Sequence, residues 1–261
     1  MTFPETPRVI YAQNPLVEVI CQLKFPPILR IETELPAIFQ ESIRKEYPLS
    51  QTAEAQQIPL PPALMKVVEQ SVPGFVQGRT YQFLSDDRRW TIGIARDFLA
   101  LSTTHYTQWE GFSSRLKKAL DAFVAAYAPA FLTRVGLRYR DVIKKSTEAL
   151  KGLDWPDILQ AHILGELGSP ELRKSIQHAA REVVISLNDT KGQVRILHGL
   201  IRDPGDKDFS YSIDSDFSCD ERTDINNAFE LLDAYHREAG RLFRWFTTPT
   251  LHERLKPTKL P

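Results

Sequence analysis

The sequence predicts an α+β protein made of two β-α-β-β-β-α repeats, an antiparallel sheet with helices packed on one face. Segments of alternating apolar and polar residues, typical of half-buried strands, are interspersed with segments whose apolar residues have helical spacing. The order of these segments recurs at an offset of 116 positions, which separates Val17 from Thr133 and Thr107 from Thr223. Two such repeats should be related by a pseudo-two-fold axis, with the leading strand of each repeat at the centre.

The first repeat is assigned to residues 1–128 and opens with a strand over 14–25. A short helix over 34–47 follows, and then a proline-rich connector over 56–75 that cannot continue a helix for long. The strand has two distinct faces. One carries Val17, Val19, Cys21 and Leu23, and the other carries Glu18, Ile20, Gln22 and Lys24.

Three strands and a long helix complete the first repeat. Turn-prone residues separate strands predicted over 80–84, 90–95 and 98–104, which indicates a meander. The helix runs from Thr107 to residue 127, because Thr107 and Glu110 have the spacing of a capping box. Its apolar stripe consists of Trp109, Phe112, Leu116, Leu120, Phe123 and Tyr127.

The second repeat, assigned to residues 129–261, has the same order with a helical insertion over about 144–180 and a C-terminal tail. Its final helix is predicted from about Thr223 to Phe246. We expect Phe229, Leu232 and Phe246 to be buried against the sheet. The predicted strands are 131–143, 181–187, 193–201 and 209–217.

Composition excludes several classes of protein. Lys plus Arg and Asp plus Glu each number 33, so no overall field recruits an anionic polymer and any anion binding must be local. Cys21 and Cys219 are too few for a disulfide framework or a four-cysteine zinc site. The N-terminus lacks the apolar core of a signal peptide, and no apolar run approaches the ~20 residues of a membrane span. We expect a cytoplasmic protein without membrane contact or cofactor.

Three arginines, Arg134, Arg138 and Arg140, share the polar face of the strand over 131–143. A guanidinium is always charged and seeks planar acceptors, so three interpretations remain open. The arginines form ion pairs within the sheet, with Glu18 as the first partner. Alternatively, together with Lys24 they bind an anionic ligand or single-stranded nucleic acid, or they line a protein interface.

Other polar clusters are weaker candidates for a site. Asp214 and Asp216 share one strand face and form a candidate acidic site, which the sequence assigns to solvation or arginine pairing rather than to metal. The histidines are scattered without metal-ligand spacing, and His105 ranks first among them because it lies where a strand meets a helix. The sequence contains no phosphate-binding glycine loop and no nucleophile elbow, so no catalytic residue is predicted.

Two short motifs suggest a family. The segment "NPLVEVICQLKF" near the start and "RVGLRY" at mid-chain resemble the two signatures of a sporadically distributed bacterial family of uncharacterised proteins of about this length. No catalytic residue is carried over by the resemblance. It implies an accessory role in a mobile or defence-related gene cluster. The residues that carry it are Asn14, Pro15, Leu16, Glu18, Gly136, Leu137, Arg138 and Tyr139.

The sequence therefore favours a non-catalytic binding or scaffolding protein that acts through protein contacts or self-association. Nucleic-acid or nucleotide binding through the arginine-bearing face is the alternative. An enzyme without a linear motif is the third, because many catalytic sites have no signature in the sequence.

Overall fold

The computed structural model of the chain describes residues 2–54, 79–202 and 208–259, so the predicted connector over 56–75 lies outside the described residues. It has a mixed α and β architecture with one large antiparallel sheet. The described strands are β1 (Val9–Tyr11), β2 (Leu16–Lys24), β3 (Leu49–Glu54), β4 (Arg79–Leu84), β5 (Trp90–Ala95), β6 (Phe98–Thr103), β7 (Arg134–Lys144), β8 (Ala180–Ser186), β9 (Gln193–Ile201), β10 (Ser210–Cys219) and β11 (Pro257–Lys259).

Two long helices and several short ones accompany the sheet. The two long helices bury longer apolar stripes than the short helices do. The described α-helices are α1 (Arg30–Thr33), α2 (Ala37–Ile43), α3 (Trp109–Tyr127), α4 (Trp155–Ile158), α5 (Ala161–Leu164), α6 (Ala228–Phe246) and α7 (Pro249–Arg254). Within the described ranges, no helix has both the length and the apolar character needed to cross a membrane.

The sheet has nine strands in the order β3-β4-β5-β6-β2-β7-β10-β9-β8, and every neighbouring pair is antiparallel. The leading strands of the two predicted repeats, β2 and β7, pair at its centre, where Cys21 lies opposite Leu137. This placement is the one expected for a pseudo-two-fold axis between them. The internal duplication itself stays a prediction, which superposition of residues 14–127 on 131–246 would test.

The core lies between the sheet and the helices α3 and α6. Inward residues of the central strands, among them Val19, Leu23 and Leu137, are fully buried because the helices cover that face. On α6 the residues Leu232 and Phe246 are buried as predicted. The opposite face of the central strands carries the polar residues of the alternating pattern.

Three expectations about the helices are wrong: the burial of Phe229, the start of the final helix at Thr223 and the capping box of Thr107 and Glu110. Phe229 is only half-buried, because the helix begins at Ala228 after a 3-10 turn rather than at Thr223. The predicted capping box does not form either. Gln108 is the N-cap of α3 without a side-chain cap, and Glu110 forms an ion pair with Arg8 instead.

The N-terminal segment crosses helix α6 and is held at both ends. Strand β1 pairs with β11 in a separate two-stranded sheet, with Ile10 opposite Thr258. Upstream, the Phe3 ring is buried 5.6 Å from the Trp245 ring, and its backbone N–H donates to the Glu238 carboxylate at 3.3 Å. The segment therefore forms a wall over the space between α6 and strand β7.

Candidate functional site

The outer face of β7 brings together the residues that the sequence proposed as a site. Arg134, Arg138 and Arg140 lie on this face, and β10 presents Asp214 and Asp216 beside them. On the other side, β2 places Glu18 opposite Arg140 and Lys24 opposite Arg134. All seven proposed residues therefore occupy one region of the open sheet face.

Arg138 is already engaged by an internal carboxylate. Its Nε and Nη2 donate to the two Asp214 carboxylate oxygens at 2.7 Å and 2.5 Å, a bidentate arrangement. The hydrogen bonds that Arg138 donates to Asp214 are the main reason that the pKa of Arg138 is raised, and the charges of Glu18 and Asp216 add to this effect. The expectation that Glu18 is the direct partner of Arg138 is wrong. β10, the other neighbour of β7, supplies the acceptor.

Arg134 is paired in a similar way. Its guanidinium donates to Asp216 at 2.8 Å and to the side-chain oxygen of Gln22 at 3.3 Å. It lies flat across the strand over Gly136, where an added Cβ would meet Arg134 Nη1 at 2.1 Å. Glycine at this position makes the pairing of Arg134 possible.

The remaining basic residues of this face are different. Arg140 is exposed, and within the described part of the chain neither it nor Lys24 makes an ion pair. Asp214 and Asp216 are occupied by arginines, and no group of three metal-ligating side chains occurs among the described residues. The outer face is therefore mainly an internal ion-pair network with one free guanidinium at its surface.

A cavity of about 260 Å³ lies on the other side of β7. The N-terminal segment, the start of α3, the inner face of β7 and the helix α6 enclose it. The exposed His105, which the sequence ranked first among the histidines, precedes the lining residue Tyr106 but does not line the cavity itself. The main polar lining side chains are Arg8, Tyr11, Tyr106, Trp109, Tyr139, Asp141, His236 and Arg244.

Asp141 is the acidic group of the cavity. It is only 9% exposed, and its carboxyl makes no hydrogen bond or ion pair with any described residue. Burial raises the pKa of Asp141 from 3.8 to about 7, and the charge of Asp214 on the neighbouring strand raises it further in the same direction. Burial therefore favours the protonated form of this carboxyl, which has no partner among the described residues.

Two buried polar atoms in the cavity wall lack a hydrogen-bond partner among the described residues. The Tyr106 ring lies edge-on to the Tyr139 ring at 5.9 Å, yet its hydroxyl makes no hydrogen bond of normal geometry. The Nη1 atom of Arg244 is buried without a hydrogen-bond partner. Unsatisfied buried donors are rare in folded proteins and call for an explanation.

The Tyr11 phenol is influenced by both the acidic and the basic group of the cavity. Its hydroxyl is hydrogen-bonded to Nδ1 of His252 at 2.9 Å. Burial raises the pKa of Tyr11, the neighbouring guanidinium of Arg244 opposes the rise, and the Asp141 charge adds to it. Both charged groups are thus close enough to act on this phenol, with opposite effects on its pKa.

His236 forms the aromatic part of the wall. Its ring stacks on the Trp109 indole with centroids 5.0 Å apart, and its Nδ1 is hydrogen-bonded to the Tyr139 hydroxyl at 3.0 Å. Burial, reinforced by the charge of Arg8, lowers the pKa of His236 to about 4. The imidazole is therefore neutral at physiological pH and adds no charge to the cavity.

An ion pair between Arg8 and Glu110 lies beside this aromatic wall. Arg8 donates to both carboxylate oxygens of Glu110 at 2.6 Å and 2.9 Å, and this hydrogen bonding lowers the pKa of Glu110 to about 2. The pair joins the N-terminal segment to the first turn of α3. Its charges compensate each other, so neither is available to neutralise Asp141.

Sequence reasoning missed this cavity, although one signal for it was present. Val135, Leu137 and Tyr139 are the inward residues of β7, and the alternation continues to Asp141. A charged residue at an inward position is the signal, because such residues are rarely buried without a partner. For the other lining residues no comparable pattern exists, since they come from segments distant in the chain.

Comparisons with known proteins leave the function open. No protein-family model and no curated protein matches the chain. A similar solved structure is the substrate-free duplicated taurocyamine kinase from Schistosoma mansoni, with a TM-score of 0.38 and 10% identity. The match covers 88% of this chain and 33% of that one, so this chain spans about a third of the kinase's length. A similarity of this degree carries no argument about activity.

Proposed function

We propose that the chain is a binding protein for a small polar molecule, held in the cavity beside β7. The observation that supports this proposal is the Asp141 carboxyl, buried in the cavity wall without a partner among the described residues. A buried polar group without a hydrogen bond costs free energy, and a buried charge costs more. A ligand that donates a hydrogen bond or carries a positive charge removes this cost.

The arginine-bearing face supports nucleic-acid binding less well. Phosphates would have to displace Asp214 from Arg138 and Asp216 from Arg134, where charge-assisted hydrogen bonds are already made. Of the three arginines on this face, Arg140 alone is exposed and makes no ion pair with a described residue. A single surface guanidinium gives little affinity for a polyanion, because affinity grows with the number of phosphates neutralised.

The test of the cavity proposal uses Trp109, whose indole forms part of the wall. We expect propylamine to change the tryptophan emission and raise the melting temperature of the protein, whereas the matched alcohol 1-propanol should do neither. In the Trp109→Phe variant the emission change should disappear while the rise in melting temperature remains.

The Asp141→Asn variant is the decisive control. It removes the charge with little change in volume and should abolish the response to propylamine. If propylamine has no effect on the wild type, or acts equally on Asp141→Asn, the cavity proposal is wrong.

As a second function we propose self-association through the edge strand β8, consistent with a scaffolding role. Among the described residues β8 pairs with β9 alone, and it exposes Val183 and Val184 by 43% and 54%. Leu197 beside them is 40% exposed. An open edge with exposed apolar side chains is a template for another strand. A second copy presents the same edge, and antiparallel pairing about a two-fold axis closes the assembly.

Sedimentation equilibrium tests this second proposal. We expect the wild type to be a dimer and the Val184→Lys variant to be a monomer. Leu172→Lys is the matched control, since Leu172 is exposed by 55% but lies outside the sheet. A wild-type monomer at micromolar concentration, or a dimer that survives Val184→Lys, would contradict assembly through β8.

A further inference from the structure

Two opposite charges that form no ion pair with any described residue line the same cavity. The Asp141 carboxyl lies on the inner face of β7, and the guanidinium of Arg244 projects from the last turns of α6. Asp141 makes no ion pair, and Nη1 of Arg244 makes no hydrogen bond with any described residue. Folded proteins usually pair such groups with each other when they are close enough.

Arg244 and Asp141 do not satisfy each other. A nearby guanidinium favours the ionised form of a carboxyl and would lower its pKa. Instead, burial and Asp214 raise the pKa of Asp141. No ion pair joins these two described residues, and the charges of both act on the Tyr11 phenol.

Two other arginines around the cavity already form ion pairs. Arg8 is held by both oxygens of Glu110. Arg241 donates to Glu238 at 2.5 Å and lies 3.7 Å from Glu5. The guanidinium of Arg237 also lines the cavity, but it is exposed to solvent. Asp141 and Arg244 are therefore the more buried acid and base that a ligand can reach.

We propose that the ligand is a small zwitterion, with a protonated amine at Asp141 and an anionic oxygen group, carboxylate or phosphate, at Arg244. This inference rests on the proposed function of the cavity and specifies its ligand class. A cation at Asp141 stabilises the carboxylate form that burial disfavours, and an anion at Arg244 accepts the unused Nη1 hydrogen bond. The Tyr106 hydroxyl provides a further buried donor in the same wall.

The cavity volume limits the size of this ligand. At about 260 Å³ it is slightly smaller than the roughly 300 to 1,000 Å³ of sites for drug-sized molecules. A water molecule occupies about 30 Å³, so the space corresponds to roughly nine non-hydrogen atoms. An amino acid or an aminoalkyl phosphate is of this size, whereas a nucleotide is not.

The experiment measures dissociation constants by calorimetry for a series of ω-amino carboxylates from glycine to 6-aminohexanoate. Propylamine and propionate serve as half-ligands, and phosphoethanolamine replaces the carboxylate by a phosphate. We expect one chain length to bind about ten- to a hundredfold more tightly than either half-ligand, the gain expected from one charge-assisted hydrogen bond. The tighter of the carboxylate and phosphate compounds identifies the anionic group.

Two variants assign the ends of the ligand. Arg244→Gln should reduce affinity for the best zwitterion to that of propylamine and leave propylamine binding unchanged. Arg140→Gln is the matched control, because it removes an unpaired arginine from the opposite face of the sheet and should change neither constant. Circular dichroism of each variant confirms that it is folded.

The outcomes separate this inference from the proposal on which it rests. If propylamine binds and no zwitterion binds more tightly, the cavity binds amines and the zwitterion inference is wrong. If Arg244→Gln leaves the zwitterion affinity intact, the anionic end is assigned incorrectly. If no probe binds at all, both this inference and the proposed function fail.

Discussion

The charged residues on the outer and inner faces of strand β7 differ in whether they have partners within the protein. On the outer face, Arg138 is bound by both oxygens of Asp214, and Arg134 is bound by Asp216. On the inner face, Asp141 lies next in the alternation and has no partner among the described residues. The charges of these two outer pairs are partly exposed and matched, whereas the inner charge is buried and unmatched in the described structure.

This comparison is the reason that we propose the inner face, and not the outer face, as the functional one. Paired charges on an open sheet face need no ligand, because each is satisfied where water also helps to solvate it. An unpaired carboxyl in a cavity lowers the stability of the folded chain, and such a cost persists mainly where function requires it. The three arginines of β7 made the outer face the candidate site in the sequence. Two of them, Arg134 and Arg138, already have carboxylate partners within the protein.

The largest expected effect concerns Asp141 and pH. Its pKa is raised from 3.8 to about 7 by folding, so between these values the unfolded chain has lost a proton that the folded chain retains. Stability is therefore highest below pH 4 with respect to this group and falls by about 1.4 kcal/mol per pH unit up to about pH 7. The loss should approach about 4 kcal/mol in total, since the shift spans about three units.

Removing the titrating group should remove this slope. We expect urea unfolding of Asp141→Asn and Asp141→Leu to show a stability advantage over the wild type that grows from pH 4.5 to pH 8. Both variants should give the same dependence on pH, because the effect comes from the lost carboxyl rather than from the new side chain. A stability difference that stays constant over this range would show that Asp141 is solvated or paired in solution.

Much of the fold could be predicted, because many of its strands and helices follow from local patterns in the sequence. β5 and β9 occupy the predicted ranges, since their alternation is bounded by turn residues. β3 was missed because its residues, LSQTAE, show no apolar alternation at the sheet edge. A strand of this kind is defined by its pairing with β4, which is a tertiary interaction.

The candidate site was less predictable, and the reason is physical. Asp141 is marked by the alternation of its own strand. Arg244 gives no such signal, because an arginine beside the apolar stripe of a helix is ordinarily solvated. Its burial depends on the N-terminal segment that crosses α6 and pairs with β11 at the far end of the chain. Contacts between distant segments have no local pattern in a single sequence.

An intermediate effect is expected for the outer ion pair of Arg138 and Asp214. A double-mutant cycle with Arg138→Ala and Asp214→Ala should give a coupling free energy of about 1 kcal/mol, since the geometry is bidentate but the Arg138 side chain is 43% exposed. Loss of Asp214 alone is partly offset by Glu18 and Asp216, whose charges also act on Arg138. If urea unfolding shows that the effects of the two single variants on the free energy of unfolding are additive, the structural role assigned to this face is wrong.

The smallest effect is expected for Arg140, which is exposed and has no ion-pair partner in the described structure although it lies opposite both Glu18 and Asp214. Arg140→Ala should change the free energy of unfolding by less than about 0.5 kcal/mol, the usual range for a surface substitution away from a specific contact. Its effect should also be the same at 0.05 M and 0.5 M salt, because screening has no pair to weaken. A larger loss that disappears at high salt would mean that Arg140 pairs with Glu18 in solution. The outer face would then have no free guanidinium, and the contrast with the unmatched Asp141 on the inner face would be sharper.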